Sequence, residues 1–436
     1  MPHFATRAAQ ILLSVRCMIR ATIQVPGDKS ITHRAIMLAG VAGGKSRIRN
    51  FLRAEDTMRT LQMMQALGVG VSEVSPTELV VQGVGLHGLS EPKDVLDAGN
   101  SGTTMRIGAG LLAGQPFVAV LTGDQYLRER PMDRVMRPLC QMGALIKGRA
   151  GDTRAPICFF GGRLEGLRHE SKVASAQVKS ALLLAGLRAS GPVTVVEPAK
   201  SRDHTERMLR AMGARVLTSG LEVTVEPAQR LEPLDILCPS DFSSAAFFLV
   251  LAAATPGSEL RVKGVCANPL RTGLLGVLRR MGAEIALEDR AEVGGEVVAD
   301  IVVRGQRLHG TYVGPDEIPA LIDEVPALCV AAALAEGATE IRGAGELRVK
   351  ESDRLATMAA ALSALGTRCT EYPDGIRIEG GSPLRSGVLC DTRGDHRVAM
   401  ALATLGAATG VRIGLTDTAC VATSFPTFFE QLRALV

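Results

Sequence analysis

Along this chain one succession of polar and apolar stretches comes round six times. Each round opens on a small polar or acidic residue, runs into a helix-length block of Ala, Leu, Ile and Met, then turns through glycine into a β-branched stretch. The six are "SITHRAIMLAGVAGGKSRIRNF", "SGTTMRIGAGLLAGQPFVAVLTG", "SAQVKSALLLAGLRASGPVTVVEP", "DFSSAAFFLVLAAATPGSELRVKGV", "DEVPALCVAAALAEGATEIRGAG" and "DHRVAMALATLGAATGVRIGLTD". The blocks are apolar almost all round the helical wheel, which predicts buried helices rather than surface ones. Their openings at Ser30, Ser101, Ser175, Asp241, Asp323 and Asp395 are 71, 74, 66, 82 and 72 residues apart. Repetition at so steady a period predicts one supersecondary unit built six times.

A second predicted helix follows in each round and, in the first five, ends on a shared signature: "QALGVGV", "QMGALI", "AMGARV", "RMGAEI" and "ALGTRC". Gly68, Gly143, Gly213, Gly282 and Gly366 stand where a left-handed residue closes a helix, and the β-branched run beyond each predicts a strand. The sixth round stops after its second helix, "FPTFFEQLRALV". The unit is therefore β-α-β-α-β-β. Six of them exceed one core of ordinary size, which predicts two similar α/β domains of three units each. The midpoint falls near "LDILCPSD". Residues 29–239 are expected as the N-terminal domain and 240–436 as the C-terminal one, with the strand within 18–28 returning to complete the last unit of the latter. Residues 1–17 are expected as a disordered extension, or as sequence upstream of a working start at Met18.

Composition narrows the function. A formal charge of +4 from 49 basic and 45 acidic residues is mild, no Lys/Arg-rich block is present, and aromatic residues make up 3% with no Trp. That gives neither the electrostatic footprint nor the stacking platform of a nucleic-acid binder. Nine scattered cysteines without a C-x-x-C pair read as reduced thiols in a cytoplasmic protein and predict no metal site. No apolar segment reaches the length of a membrane span.

The charged and hydroxyl residues gather at the helix starts. Helix N-termini present unpaired N–H groups and the positive end of the dipole, so several of them converging would trap anions. The first round contributes "GDKSITHR", the second "GNSGTTMR" and the downstream "DQYLRERP", the third "ASAQVKS" and "SRDHTER", the fifth "IDEVP" and "RVKESDR", the sixth "GDHRVAM". Singly, Ser30, Ser101 and Ser175 are good N-caps, and Asp323 and Asp395 are too. Their recurrence at one place in the unit favours a shared anion site. "AGGKS" at 42–46 imitates the end of a phosphate-binding P-loop, but Ala39 stands where the motif needs glycine and a strand follows, so it is read as a turn.

Together, "PGDKSITHRAIMLAG", "GNSGTTMR", "RERPMDRV", "ASAQVKSALLLAGL", "RDHTERML", "IDEVPAL", "RVKESDRL", "GDHRVAMAL" and "ATSFPTFFEQL" resemble the 5-enolpyruvylshikimate-3-phosphate (EPSP) synthase family, in order, from about residue 20 to the end. The resemblance implies two domains of three βαβαββ units, inside-out α/β barrels with a substrate cleft between them. It implies transfer of the enolpyruvyl group of phosphoenolpyruvate to the 5-hydroxyl of shikimate 3-phosphate with release of phosphate, on the route to chorismate and the aromatic amino acids. No cofactor, metal, nucleic acid or membrane is implied as a partner, and a monomer is expected. Shikimate 3-phosphate would meet Lys29, Ser30, Arg34, Ser175, Ala176, Gln177, Arg202, Asp323 and Lys350. Phosphoenolpyruvate would meet Lys29, the backbone at Gly102, Arg130, Gln177, Arg354 and Arg397.

Addition followed by elimination needs a proton delivered to the methylene carbon and one taken from the hydroxyl. The resemblance implies Glu351 and Asp323 for these, with Lys29 at the departing phosphate. Ala176 stands where some relatives carry a second serine, and Thr423 where some carry a lysine. With glycine at 102, sensitivity to glyphosate is expected. The split of motifs between the halves suggests closure on shikimate 3-phosphate. Two alternatives stand beside this reading. A UDP-N-acetylglucosamine enolpyruvyl transferase would usually carry a cysteine in the loop before "RP", and "GDQYLRERP" has none, Cys140 lying beyond it. An RNA-end-processing or phosphate-binding repeat module would need a catalytic histidine; His33, His204 and His396 read better as supporting residues.

Overall fold

In the computed structural model, residues 9–11 and 18–436 are described. Six buried helices answer to the six apolar blocks: α1 (Lys29–Gly40), α2 (Gly102–Leu112), α3 (Ala176–Gly186), α4 (Phe242–Ala253), α5 (Val325–Leu334) and α6 (His396–Thr409). All twelve residues of α4 are buried, as a helix without a polar face must be. The second helices end on Gly68, Gly143, Gly213, Gly282 and Gly366, whose φ angles of 92°, 100°, 84°, 112° and 104° are closed to most other residues. "AGGKS" is a turn leading into the strand Lys45–Arg49.

Among the described residues each repeat folds onto its own small sheet, five of four strands and one of three. In the first five a leading strand runs parallel to the strand after the first helix, and the closing hairpin adds two antiparallel strands; the sixth lacks the hairpin. In the second repeat, Leu96–Asp97 pairs parallel with Ala119–Thr122, which pairs antiparallel with Arg154–Phe159 and so onward to Ile146–Gly148. This is the α/β architecture expected from the repeats.

The chain divides into two compact units. The first comprises Gly27–Pro239 with the short piece Glu292–Glu296; the second comprises the described residues up to Pro26, Ser240–Ala291 and Val297–Val436. Glu292–Glu296 is the tip of the hairpin between the strands Glu284–Val293 and Glu296–Arg304, and no sequence feature signals its assignment.

Six strands show how the chain closes on itself: β1 (Ala9–Ile11), β2 (Arg20–Ile23), β3 (Lys45–Arg49), β4 (Asp235–Leu237), β5 (Glu259–Cys266) and β6 (Ile413–Leu415). The strand within 18–28, expected to complete the last repeat, is β2, and it pairs parallel with β5 to lead the fourth repeat instead. β4 in turn leads the first repeat, parallel to β3. The last sheet receives β1, antiparallel to β6, from within the segment expected as a disordered extension; the rest of that segment lies outside the described residues. Short strands carry too little side-chain pattern to choose a partner, so pairing follows the tertiary packing.

In the second unit, α4, α5 and α6 share one apolar core with the C-terminal segment. Phe248, Phe425 and Phe428 meet with ring centroids 5.6 to 6.0 Å apart, contacts worth about 0.5–1.5 kcal/mol each beyond burial. In the first unit, a Cβ on Gly110 of α2 would fall 2.1 Å from the Ala181 carbonyl oxygen of α3. Only glycine allows that approach, and it fixes how the starts of α2 and α3 stand to each other. Among the described residues no helix is long and apolar enough to cross a membrane.

Candidate active site

In the first unit, the start of α1 is capped by Asp28, whose carboxylate accepts from the Ile31 N–H at 2.9 Å. Ser30, expected as a cap, is one turn-position too late: the aspartate two residues earlier takes the role, and its charge also suits the positive helix end. The Ser30 hydroxyl is thereby left to accept from Arg202 Nη1 at 3.4 Å. Ser101 and Ser175 do cap α2 and α3, accepting from the N–H groups of Thr104 and Val178 at 3.2 and 3.4 Å.

Arg34, one turn into α1, is buried among neutral oxygens. It donates to Thr205 Oγ1 at 2.7 Å, the Ser30 carbonyl at 2.9 Å and Ser180 Oγ at 2.9 Å. Burial brings its guanidinium down to about 10, with Glu206 opposing and nearby Arg202 assisting; it remains charged at neutral pH. Lys29 pairs with Asp56 at 3.1 Å. Arg130 Nη2 donates to Asn100 Oδ1 at 2.7 Å, and the Asn100 amide donates to Asp124 at 2.7 Å. Arg106 Nη1 donates to Gln177 Oε1 at 2.9 Å, while Gln177 Nε2 donates to Thr103 at 3.0 Å. A Cβ on Gly102, at the start of α2, would lie 2.9 Å from Arg106 Nη1 and 3.2 Å from Arg130 Nη1. Glycine there keeps the helix end open between two guanidinium groups. Ala176 is the first residue of α3 and brings no hydroxyl.

The structure thus brings Lys29, Ser30, Arg34 and Arg202 together around α1, and Gly102, Arg130 and Gln177 around α2. It also shows partners that helix-start reading passed over: Asp56, Asp124 and buried Lys179. Lys179 pairs with Glu197 at 2.6 Å and Glu206 at 2.8 Å. A lone lysine inside the apolar block "AQVKSALLLAG" was the signal for it. His33 is likewise a supporting group, its Nδ1 2.6 Å from Thr60 Oγ1. Burial holds it well below the usual imidazole range, helped by Lys29 and Arg34.

In the second unit, three cations face one carboxylate. Lys350 Nζ, Arg354 Nη1 and Arg397 Nη2 lie 3.8, 3.6 and 3.9 Å from the Asp323 carboxylate, and Arg397 Nη1 donates to the Asp323 carbonyl at 2.9 Å. Asp323 is not a helix cap: it sits in the single 3₁₀ turn Ile322–Glu324 just ahead of α5. The following Val-Pro fixes where the helix begins, leaving the Asp323 side chain to the cations. Arg354 is fully buried, bound to Glu351 at 2.6 Å and Asp395 at 2.8 Å. Its buried Nη1 makes no hydrogen bond.

Asp395 caps α6 through the Arg397 N–H at 2.9 Å and accepts from Ser352 at 3.0 Å. Burial alone would raise its carboxyl, but the Arg354 guanidinium holds it below the ordinary range against the opposing charge of Glu351. Reciprocally, burial works against the charge on Arg354, yet Asp395 and Glu351 raise it. Thr423 ends the 3₁₀ turn Ala419–Thr423, and its hydroxyl donates to the Cys420 carbonyl at 2.8 Å.

Against this geometry stand the likenesses to known proteins. The family model for EPSP synthase (3-phosphoshikimate 1-carboxyvinyltransferase) matches residues 15–432. The 3-phosphoshikimate 1-carboxyvinyltransferase of Geobacter metallireducens is 52% identical over 415 residues, covering 95% of this chain and 96% of that one. The same enzyme of Geobacter sulfurreducens is 53% identical over 414 residues, covering 95% and 96%. The solved EPSP synthase of Acinetobacter baumannii superposes with a TM-score of 0.87 at 42% identity over 98% of both chains. The enolpyruvyl transferase NikO of Streptomyces tendae, at 18% identity and a TM-score of 0.76 over 97% of this chain and 96% of its own, shares the fold.

Proposed function

Because the chain belongs to the EPSP synthase family, we propose that Lys29, Arg34, Arg130, Arg202, Lys350, Arg354 and Arg397 receive the substrates' anionic groups and that Asp323 and Glu351 move the protons. The activity is 3-phosphoshikimate 1-carboxyvinyl transfer: the enolpyruvyl group of phosphoenolpyruvate passes to the 5-hydroxyl of shikimate 3-phosphate and phosphate leaves.

Shikimate 3-phosphate is assigned to Lys29, Ser30, Arg34, Ser175, Gln177, Arg202, Asp323 and Lys350. The hydroxyls and carbonyl now holding Arg34 fix its direction without neutralising it, so its field is available to a phosphate. Phosphoenolpyruvate is assigned to Lys29, the N–H groups at Gly102, Arg130, Gln177, Arg354 and Arg397. The Gly102 backbone heads α2, where an anion is favoured, and the unbonded Nη1 of Arg354 has a donor to offer.

The reaction follows from these placements. Asp323, held among three cations, takes the proton of the 5-hydroxyl as the oxygen attacks the enol carbon. Glu351 gives a proton to the methylene carbon, making a methyl group in the tetrahedral adduct. Glu351 takes a proton back from that methyl, restoring the double bond as the C–O bond to phosphate breaks and its electron pair leaves with the phosphate, which Lys29 stabilises. The observation that carries this reading is the setting of Asp323: one carboxylate faced by Lys350, Arg354 and Arg397, all within 4 Å.

The test offers phosphoenolpyruvate with shikimate 3-phosphate or UDP-N-acetylglucosamine in separate reactions and measures phosphate release. Release with shikimate 3-phosphate alone is expected; release with the sugar nucleotide alone would overturn it. The cytoplasmic location and the monomeric state are part of the proposal, the latter checked by sedimentation.

A further inference from the structure

Behind Asp323 lies a second ionic group in the second unit that the reaction above does not use. Glu324 is buried, and its Oε1 accepts from Arg271 Nη1 at 2.8 Å and from the Ser243 hydroxyl. Arg271 is buried as well: its Nη2 binds Ser243 and lies 3.4 Å from Asp241, and its guanidinium carbon stands 5.9 Å from the centre of the Phe242 ring. Glu324 Oε1 is also 3.7 Å from Arg397 Nη1, the same nitrogen that donates to the Asp323 carbonyl. The contacts form a closed circuit, Arg271 to Glu324 to Arg397 to the Asp323 backbone.

Two observations give that circuit a purpose. The turn that carries Asp323 has no side-chain cap, unlike the starts of α1, α2, α3, α4 and α6, so beyond the Val-Pro that follows it no side chain at the helix end itself holds the turn. Stability, moreover, does not call for such a group, since a buried ion pair generally holds a fold no better than apolar residues of like volume. What the pair does supply is direction: it grips the turn from its inner side through the residue adjoining Asp323.

We propose that Arg271 and Glu324 are positioning residues, which hold the Ile322–Glu324 turn so that the Asp323 carboxylate and the Arg397 guanidinium face their substrates together. This rests on the assignment of Asp323 to proton transfer. Neither residue touches substrate. Their loss should reduce turnover more than it weakens binding, because about 1 Å of misplacement in an acid or base costs about 100-fold in rate.

The experiment uses the full chain with steady-state phosphate release and a thermal melt. Arg271→Met alone strands a buried carboxylate and is expected to melt early. The double variant Arg271→Met with Glu324→Met removes the pair and leaves apolar bodies. It is expected to recover the parent melting temperature, lose about 100-fold in kcat and keep both KM values within about threefold. A double variant that melts normally and turns over within about threefold of the parent overturns the proposal.

If the double variant does not fold, Glu324→Gln decides. It preserves shape and the bond to Ser243 and is expected to lose at least about tenfold in kcat at an unchanged melting temperature; an unchanged kcat overturns the proposal. Asp323→Asn, measured alongside, separates the two levels. If it turns over like the parent, the assignment of Asp323 fails; if it is inactive while the double variant is fully active, only the positioning role fails.

Discussion

The two units meet the same problem, keeping cations near anions, in different ways. In the first, Arg34 is held by two hydroxyls and a carbonyl, and Arg130 and Arg106 reach the side-chain amides of Asn100 and Gln177. In the second, Arg354 lies against Glu351 and Asp395, and Arg397 against Asp323 and Glu324. Neutral partners orient a cation and leave its field uncancelled, which suits capture of a phosphate. Carboxylate partners cancel the field and bring bases within reach, which suits proton transfer. On this view Arg34 and Arg130 are held for capture alone, whereas the second unit's cations are held beside the carboxylates that would move protons.

The largest expected effect puts that division to its hardest trial. Asp323→Asn should lower kcat by about 10²–10⁴-fold, with a smaller change in the KM for shikimate 3-phosphate, read from phosphate release. If KM rises as steeply as kcat falls, the second unit is binding as much as reacting and the contrast fails. Next comes Arg34→Met. Losing a charge-assisted contact costs about 1.5–3 kcal/mol, about 10- to 100-fold, and the loss should fall on the KM for shikimate 3-phosphate, with kcat nearly kept. A collapse of kcat at saturating substrate would blur the two roles.

Gly102→Ala sharpens the contrast within the first unit. Its methyl would crowd Arg106 and Arg130, so the KM for phosphoenolpyruvate should rise about tenfold or more and the glyphosate concentration for half inhibition should rise with it. An unchanged value of the latter would place the inhibitor elsewhere.

The smallest effect concerns acid. The Asp395 carboxyl lies below its ordinary value in the fold, so its contribution is complete above the unfolded value of about 3.9 and disappears as pH falls through the lower, folded one. Asp395→Asn should therefore melt earlier than the parent at neutral pH, and the gap should close as pH drops below about 4. A gap that stays constant down to about pH 3 would mean that Arg354 does not hold that carboxylate as drawn.

Much of this was legible in the sequence because it is written locally. An apolar block behind a small polar residue specifies a buried helix wherever it stands, and Gly68 or Gly213 needs a left-handed backbone whatever surrounds it. Lys29, Arg34, Asp323 and Arg397 were found because their motifs recur at one place in the repeat. Three things were not legible. Asp28 outcompetes Ser30 as a cap by a choice between neighbours that propensity does not rank. Glu324, Arg271 and Lys179 take their meaning from partners far along the chain. The pairing of β2 with β5 and of β4 with β3 joins segments whose side chains record nothing of each other.

That exchange of leading strands sets the order in which the molecule can be completed. On the ribosome, β2 emerges among the first segments and must wait, its edge bare, until synthesis has passed Cys266 and supplied β5. The first repeat also stays unfinished until β4 has left the exit tunnel. A nascent chain of this design carries exposed backbone donors and acceptors through more than half of its own translation, an edge open to mispairing until its partner strand arrives.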